Sequence, residues 1–232
     1  MEYASPMSKI LWLLLLLSLA CSPSPPAKQS PKQEAPPRQP AQPLSYEGGA
    51  DWLEREGRED TERPEIVLKA MNLKDGDVVA DLGAGTGFYT RRLAKAVGPT
   101  GKVWANDIQP EMLDRMKKLA AKEGIGNIVT VVGTETDPKL PKGTFDWILL
   151  VDVYHEFQQP EPMLAKIREA LKPDGKVALV EYRAEGDSAA HIHELHKMSM
   201  EQVLAEWVPA GFLHVETIEE LPTQHMFVFA VK

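Results

Sequence analysis

The sequence predicts an α/β fold: a mainly parallel sheet covered by helices on both faces and closed by an antiparallel pair of strands. Three observations carry this. Short apolar runs alternate with helical patterns from Asp77 to Tyr182, the order that parallel crossover units require. Glycines 83, 85 and 87 fall at a strand-to-helix junction, where the backbone adopts dihedrals that a Cβ would oppose. Two final apolar runs, 214–218 and 226–231, have no helical pattern between them.

The chain has 232 residues, 43% of them hydrophobic, and one cysteine, Cys21. That suits a single globular domain with extra chain, and a lone thiol excludes an internal disulfide and a Cys-rich zinc site. Residues 1–20 read as a secretory signal: after Lys9 comes an apolar run of 11 residues, 10–20, short of the roughly 20 that a spanning helix needs. Ser18-Leu-Ala-Cys21 resembles the cleavage and acylation site of bacterial lipoproteins, with Cys21 the lipid anchor. An ordinary cleaved signal, releasing a soluble periplasmic protein, is the other reading. Residues 21–45 are expected to be a disordered tether, because eight prolines in residues 22–45 and little apolar surface favour an extended spacer. Residues 46–232 form the predicted domain. It carries 22 basic and 32 acidic residues, a charge of −10, which removes nucleic acid from the expected partners.

Within the domain, 46–63 is charged and reads as a short helix. Pro64 suits a first helical turn, and apolar residues at helical spacing continue until Asp75-Gly76. Residues 77–81 form the first strand and 88–97 a helix closed by Gly98-Pro99. Then come a strand at 102–107, a helix opened by Gln109-Pro110 and running to Lys122, and strands at 128–132 and 147–151. A helix over 161–171 ends at the turn Lys172-Pro-Asp-Gly175. A fifth strand spans 176–182, and a helix at 199–208 precedes the closing pair.

The glycine loop decides the ligand class. A dinucleotide site wants G-x-G-x-x-G, but here the glycines are at i, i+2 and i+4, and Phe88 stands where the third would be. Asp81, two places before the first glycine, would repel a pyrophosphate and suits a ligand carrying an ammonium and a sulfonium. Asp81-Leu-Gly-Ala-Gly-Thr-Gly87 resembles the first motif of the class I S-adenosylmethionine-dependent methyltransferases. The resemblance implies their Rossmann-like fold, a seven-stranded mostly parallel sheet with an antiparallel last strand, and S-adenosylmethionine as cofactor. It extends over about residues 50–232. Val103-Trp-Ala-Asn-Asp107 resembles the second-strand motif, which assigns Asp107 to the ribose hydroxyls and Ile108 to the adenine. Gly133-Thr-Glu135-Thr-Asp137 resembles the loop that reads the adenine edge, leaving Glu135 and Asp137 as alternatives. Segments 145–156 and 171–180 resemble the fourth and fifth motifs. Asp81, Gly83, Gly85, Gly87, Asp107, Ile108, Glu135, Asp137 and Asp152 are thus the expected cofactor residues.

In open α/β sheets ligands bind at the carboxyl ends of the parallel strands. That topology gathers His155, Glu181, Arg183, His196 and His225 at one edge. Three readings of this cluster stay open: structural loop residues, acid-base or substrate-binding groups, and a metal site. His155, His196 and Glu181 are the candidate catalytic residues, and His191-x-His193-x-x-His196 matches no defensible metal-ligand spacing. The expected function is methyl transfer to a small-molecule acceptor by an exported, lipid-anchored protein. The other is a non-catalytic nucleoside- or metal-binding protein on the same fold. Glycine spacing disfavours an NAD-linked oxidoreductase.

Overall fold

Apolar residues alternating at a period of two build the central strands, and the alternation sends successive side chains into two cores on opposite faces of one sheet. The computed structural model describes residues 1–2 and 38–232. The signal-like run, Cys21 and the tether through residue 37 lie outside the described residues. Five strands run parallel: β1 (Val78–Leu82), β2 (Lys102–Asp107), β3 (Ile128–Val132), β4 (Phe145–Val151) and β5 (Leu171–Arg183). A two-residue β6 (Lys197–Met198) pairs with the end of β5, and β7 (Phe212–Ile218) and β8 (Gln224–Val231) complete the sheet. The order is β3-β2-β1-β4-β5-β8-β7, with β8 antiparallel to both neighbours. Apart from the small β6, this is the expected seven-stranded arrangement.

One core takes Ala80 and Leu82 of β1, Ile148 and Leu150 of β4, and Phe227 and Phe229 of β8. Against it pack α6 (Pro160–Ala170) and α7 (Met200–Trp207), whose Trp207 stacks on Phe229 at 4.8 Å. The opposite core takes Val79, Leu149, Ala178, Val180 and Val228. It is covered by α3 (Pro64–Met71) and α4 (Phe88–Ala96), with α5 (Pro110–Lys122) over Ala105 of β2. Proline opens α3, α5 and α6, where its missing N–H is not needed. Ser199 caps α7 by accepting from Gln202 N.

Three local expectations change. The predicted helix over 46–63 is broken into α1 (Tyr46–Gly49), a 3-10 turn (Trp52–Glu54) and α2 (Arg58–Glu62), the last two separated at Gly57 with a left-handed φ of 77°. The turn at 172–175 lies inside β5, where pairing with β4 jumps from Phe145↔Leu171 to Trp147↔Lys176 as a bulge. The tether expected to reach residue 45 is docked on the domain from Arg38 onward. Arg38 donates to Glu206 at 2.9 Å and to the carbonyls of Tyr154, His155 and Phe157, and Ala41 N bonds His155 O. These partners supply what proline-rich composition lacks.

The connections from β1 run toward β2 on one side and β4 lies on the other, so the topological switch point falls at the carboxyl ends of β1 and β4. A crevice there is the expected ligand position.

Candidate active site

The turn from β1 to α4 is built on glycines with left-handed φ: 76° at Gly83, 52° at Gly85 and 82° at Gly87. A Cβ on Gly83 would lie 2.4 Å from Val153 Cγ2, and one on Gly87 would lie 2.1 Å from Met116 Cγ. Both positions therefore need glycine for conformation and for space. The turn is tied to the end of β2: Gly85 N donates to Asp107 Oδ2 at 2.9 Å, and Gln109 N donates to Asp107 Oδ1 at 2.9 Å. Burial raises the Asp107 pKa while these two amides oppose the rise.

The turn forms one wall of a cavity of about 730 Å³ at the switch point, within the range of roughly 300–1,000 Å³ typical of small-molecule sites. Asp81, Gly83, Gly85, Asp107, Ile108, Glu135, Asp152, His155 and His196 all line it. Three expected residues do not. Gly87 is turned to Met116 of α5. Asp137 accepts from Lys139 N at 2.7 Å and closes its own loop, which leaves Glu135 as the acid of that segment on the cavity wall. Glu181, expected among the catalytic residues, is fully buried behind His155 and reaches the cavity only through that ring.

Two other carboxyls give the cavity its character. Asp81 is buried and accepts from Thr90 Oγ1 at 2.5 Å. Burial, opposed by that bond and reinforced by nearby Asp107, pushes its pKa up to about 6. Asp152 sits at a φ of 51° and accepts from Gln224 Nε2 at 2.7 Å through Oδ2, while its Oδ1 is buried with no partner among the described residues. Burial, with Glu62 and Glu181 close by, holds this carboxyl well above the usual range. The Tyr89 hydroxyl, on the same cavity, is also buried without a partner among the described residues.

On the far wall, His155 Nδ1 meets Glu181 Oε2 at 2.6 Å, and Glu181 Oε1 accepts from Tyr154 N at 2.8 Å. An acceptor-only carboxylate at Nδ1 places the proton there and leaves the Nε2 lone pair toward His196 Nδ1, 2.9 Å away. Burial lowers the His155 pKa, but Glu181 outweighs it and the net shift is upward. His196 is shifted downward by burial and by neighbouring His155 and His193. Glu156, which the sequence did not single out, lies beside this pair, and burial lifts its carboxyl to about 7.

Arg183 and His225 are not part of the group. Arg183 is held by Glu219 and by the carbonyls of Glu219 and Leu221, and His225 lies between Glu185 and Glu219. Topology brings both to the correct edge, but the acidic loops beside them turn their side chains away from the cavity. The docked N-terminal segment contributes instead. Gln42, Pro43 and Leu44 line the mouth, Gln109 bonds Tyr46 N and Leu44 O, and Trp52 lies half-exposed across it with Arg55 over its ring at 3.9 Å. Nothing in the composition of 38–45 signals this.

Residues 73–224 match the family model described as "Methyltransferase domain". The chain belongs to that family, and by family and fold it is a class I S-adenosylmethionine-dependent methyltransferase. A solved S-adenosylmethionine-dependent methyltransferase from Aquifex aeolicus superposes with a TM-score of 0.72 and 27% identity, covering 79% of this chain and 97% of that one. The ubiquinone/menaquinone biosynthesis C-methyltransferase UbiE of Burkholderia cenocepacia is 30% identical over 135 residues, 58% of this chain and 55% of its own length. Its counterpart in Cupriavidus metallidurans is 32% identical over 117 residues, covering 50% and 48%. The chain thus spans about half the length of the curated relatives it matches. The cavity fits the family's cofactor: a glycine-lined cradle with a carboxylate fixed beside it, and the buried, donor-less Asp152 Oδ1, suit a cationic ligand that brings hydroxyl and ammonium donors.

Proposed function

We propose that this protein transfers the methyl group of S-adenosylmethionine to a small-molecule acceptor bound against His155. The observation that carries the proposal is the placement of buried Asp81 and Asp107 and half-buried Asp152 around one cavity beside the Gly83–Gly85 turn. Bound S-adenosylmethionine supplies a methyl carbon already activated by a sulfonium. The chain's residues do the rest. Asp107 orients the sugar hydroxyls, which a carboxylate can engage in pairs. Ile108, 40% exposed, covers the base, and Glu135 meets its edge. Asp81 and Asp152 favour the positively charged end of the ligand.

Holding the acceptor in line with the methyl accounts for most of the catalysis such a displacement needs. When the acceptor carries a proton on the attacking atom, His196 takes it at Nε2 and hands its Nδ1 proton to His155 Nε2, 2.9 Å away, where Glu181 stabilises the resulting imidazolium. The C-methyltransferase relatives favour a small acceptor methylated at carbon, which calls for such a base. Calorimetry with S-adenosylmethionine and S-adenosylhomocysteine tests the first half; failure to bind either refutes the reading. Release of S-adenosylhomocysteine across a panel of carbon, hydroxyl and thiol acceptors tests the second. Residues 10–21 further support export and anchoring through Cys21, with the domain held outside the cytoplasm.

A further inference from the structure

The acceptor side of the cavity holds a group of donors that the spacing of the histidines alone does not disclose. His155, Glu156 and His196 each present a ligand atom within 4.8 Å of the others, and all three line the cavity. We propose that these residues form a binding site for a divalent first-row metal ion of the Zn2+ or Fe2+ type, with an open coordination position facing the cavity.

Three features of the geometry support this. Two imidazoles and one carboxylate are a donor set suited to such ions, and three protein ligands leave a position for water or substrate. The donors are nearly assembled: tetrahedral coordination at about 2.0–2.1 Å separates ligand atoms by about 3.4 Å. The two ring nitrogens stand at 2.9 Å, so they need only part slightly while the Glu156 carboxylate closes in. The third feature is Glu181. Metal-bound histidines commonly give their other N–H to a carboxylate, which fixes the tautomer and strengthens the ligand, and His155 Nδ1 meets Glu181 Oε2 at 2.6 Å. Glu181 has no cavity surface, so this orienting bond is what its buried carboxylate offers the site.

Without an ion the arrangement is awkward. One imidazole must donate to the other, and among the described residues the Glu156 carboxylate accepts a single long bond, from Leu44 N at 3.4 Å. An ion would satisfy both lone pairs and the carboxylate together. It would also use the His155 lone pair assigned above to proton removal; in the loaded protein, coordination would ionise an acceptor oxygen or sulfur instead. Metal uptake itself does not depend on the methyl-transfer reading and is measured without cofactor.

The test is ion retention by the full chain in a Cys21→Ser background, stripped with chelator and then dialysed against Zn2+ or, anaerobically, Fe2+. One equivalent per chain is expected by elemental analysis, and Co2+ should give the visible bands of a low-coordinate site. His196→Ala and Glu156→Gln, at partly exposed positions, should each weaken retention at least tenfold with unchanged thermal unfolding of the metal-free protein. Glu181→Gln should weaken it by about 10- to 100-fold. His214→Ala, whose ring bonds Thr217, should retain the ion. No stoichiometric uptake, or uptake indifferent to all three site variants, overturns the proposal, whether or not S-adenosylmethionine binds.

Discussion

At Asp81 a buried carboxyl links folding and ligand binding to pH. Its folded pKa is about 6 against an ordinary 3.8, chiefly through burial. Below about pH 4 the group is protonated in both states and folding carries no penalty. As pH rises toward 6 the unfolded chain releases a proton that the native state retains, so stability falls across that window and levels off above it. The expected loss is about 3 kcal/mol, read as a drop in the urea midpoint; Asp81→Asn should remove this component, and an identical pH profile in the variant would refute the assignment. A cationic ligand favours the ionised form, so S-adenosylmethionine should bind more tightly as pH rises through 6, less so in Asp81→Asn. Asp107 acts differently because both its oxygens are already held by amides. Asp107→Ala removes a charged acceptor from the sugar and should weaken S-adenosylhomocysteine by about 1.5 to 3 kcal/mol in calorimetry. Unchanged affinity would reject its ribose role.

Among the elements, those with a local signature were legible in the sequence. The β1 turn declares itself through three glycines, α5 through Pro110, and α7 through Ser199, because each signal acts within a few residues. What sequence reasoning missed depends on distant partners. Residues 38–45 read as spacer, yet Arg38 reaches carbonyls more than 100 positions away and a half-buried Glu206 on α7. Topology likewise brought Arg183 and His225 to the correct edge but could not say which way they face, since the Glu219 loop sets that. The docked segment carries its own prediction. Arg38→Ala strips its bonds to Glu206 and to the chain around His155, and should free the segment that covers the cavity mouth. Hydrogen exchange should rise at the Ala41 amide, which bonds His155 O, by a factor corresponding to about 1 to 3 kcal/mol. Release of S-adenosylhomocysteine should quicken in parallel. Unaltered exchange over 39–46 would show that the segment is held by other contacts.

For the molecule as a whole, the domain's charge and its proposed anchor bear on each other. With −10 on residues 46–232, the domain is repelled by an anionic membrane surface and has no electrostatic means of staying there. No helix of the described residues is long and apolar enough to cross a membrane. Attachment would therefore rest on Cys21 and the preceding run. A single acyl chain holds a protein only marginally, whereas a diacylglycerol thioether with an amide-linked chain gives stable anchoring. In a bacterial host, the full chain should fractionate with membranes, resist high-salt washing and incorporate labelled fatty acid. Salt resistance separates acylation from charge, because an electrostatic contact weakens as ionic strength rises. Cys21→Ser removes the only thiol that could be acylated and leaves an apolar run of 11 residues, well short of the roughly 20 needed to span. That variant should lose the label and, once its signal is cleaved, appear in the soluble periplasmic fraction with its cofactor affinity unchanged. Labelled fatty acid retained after Cys21→Ser, or an unmodified protein found soluble from the outset, would overturn the anchor.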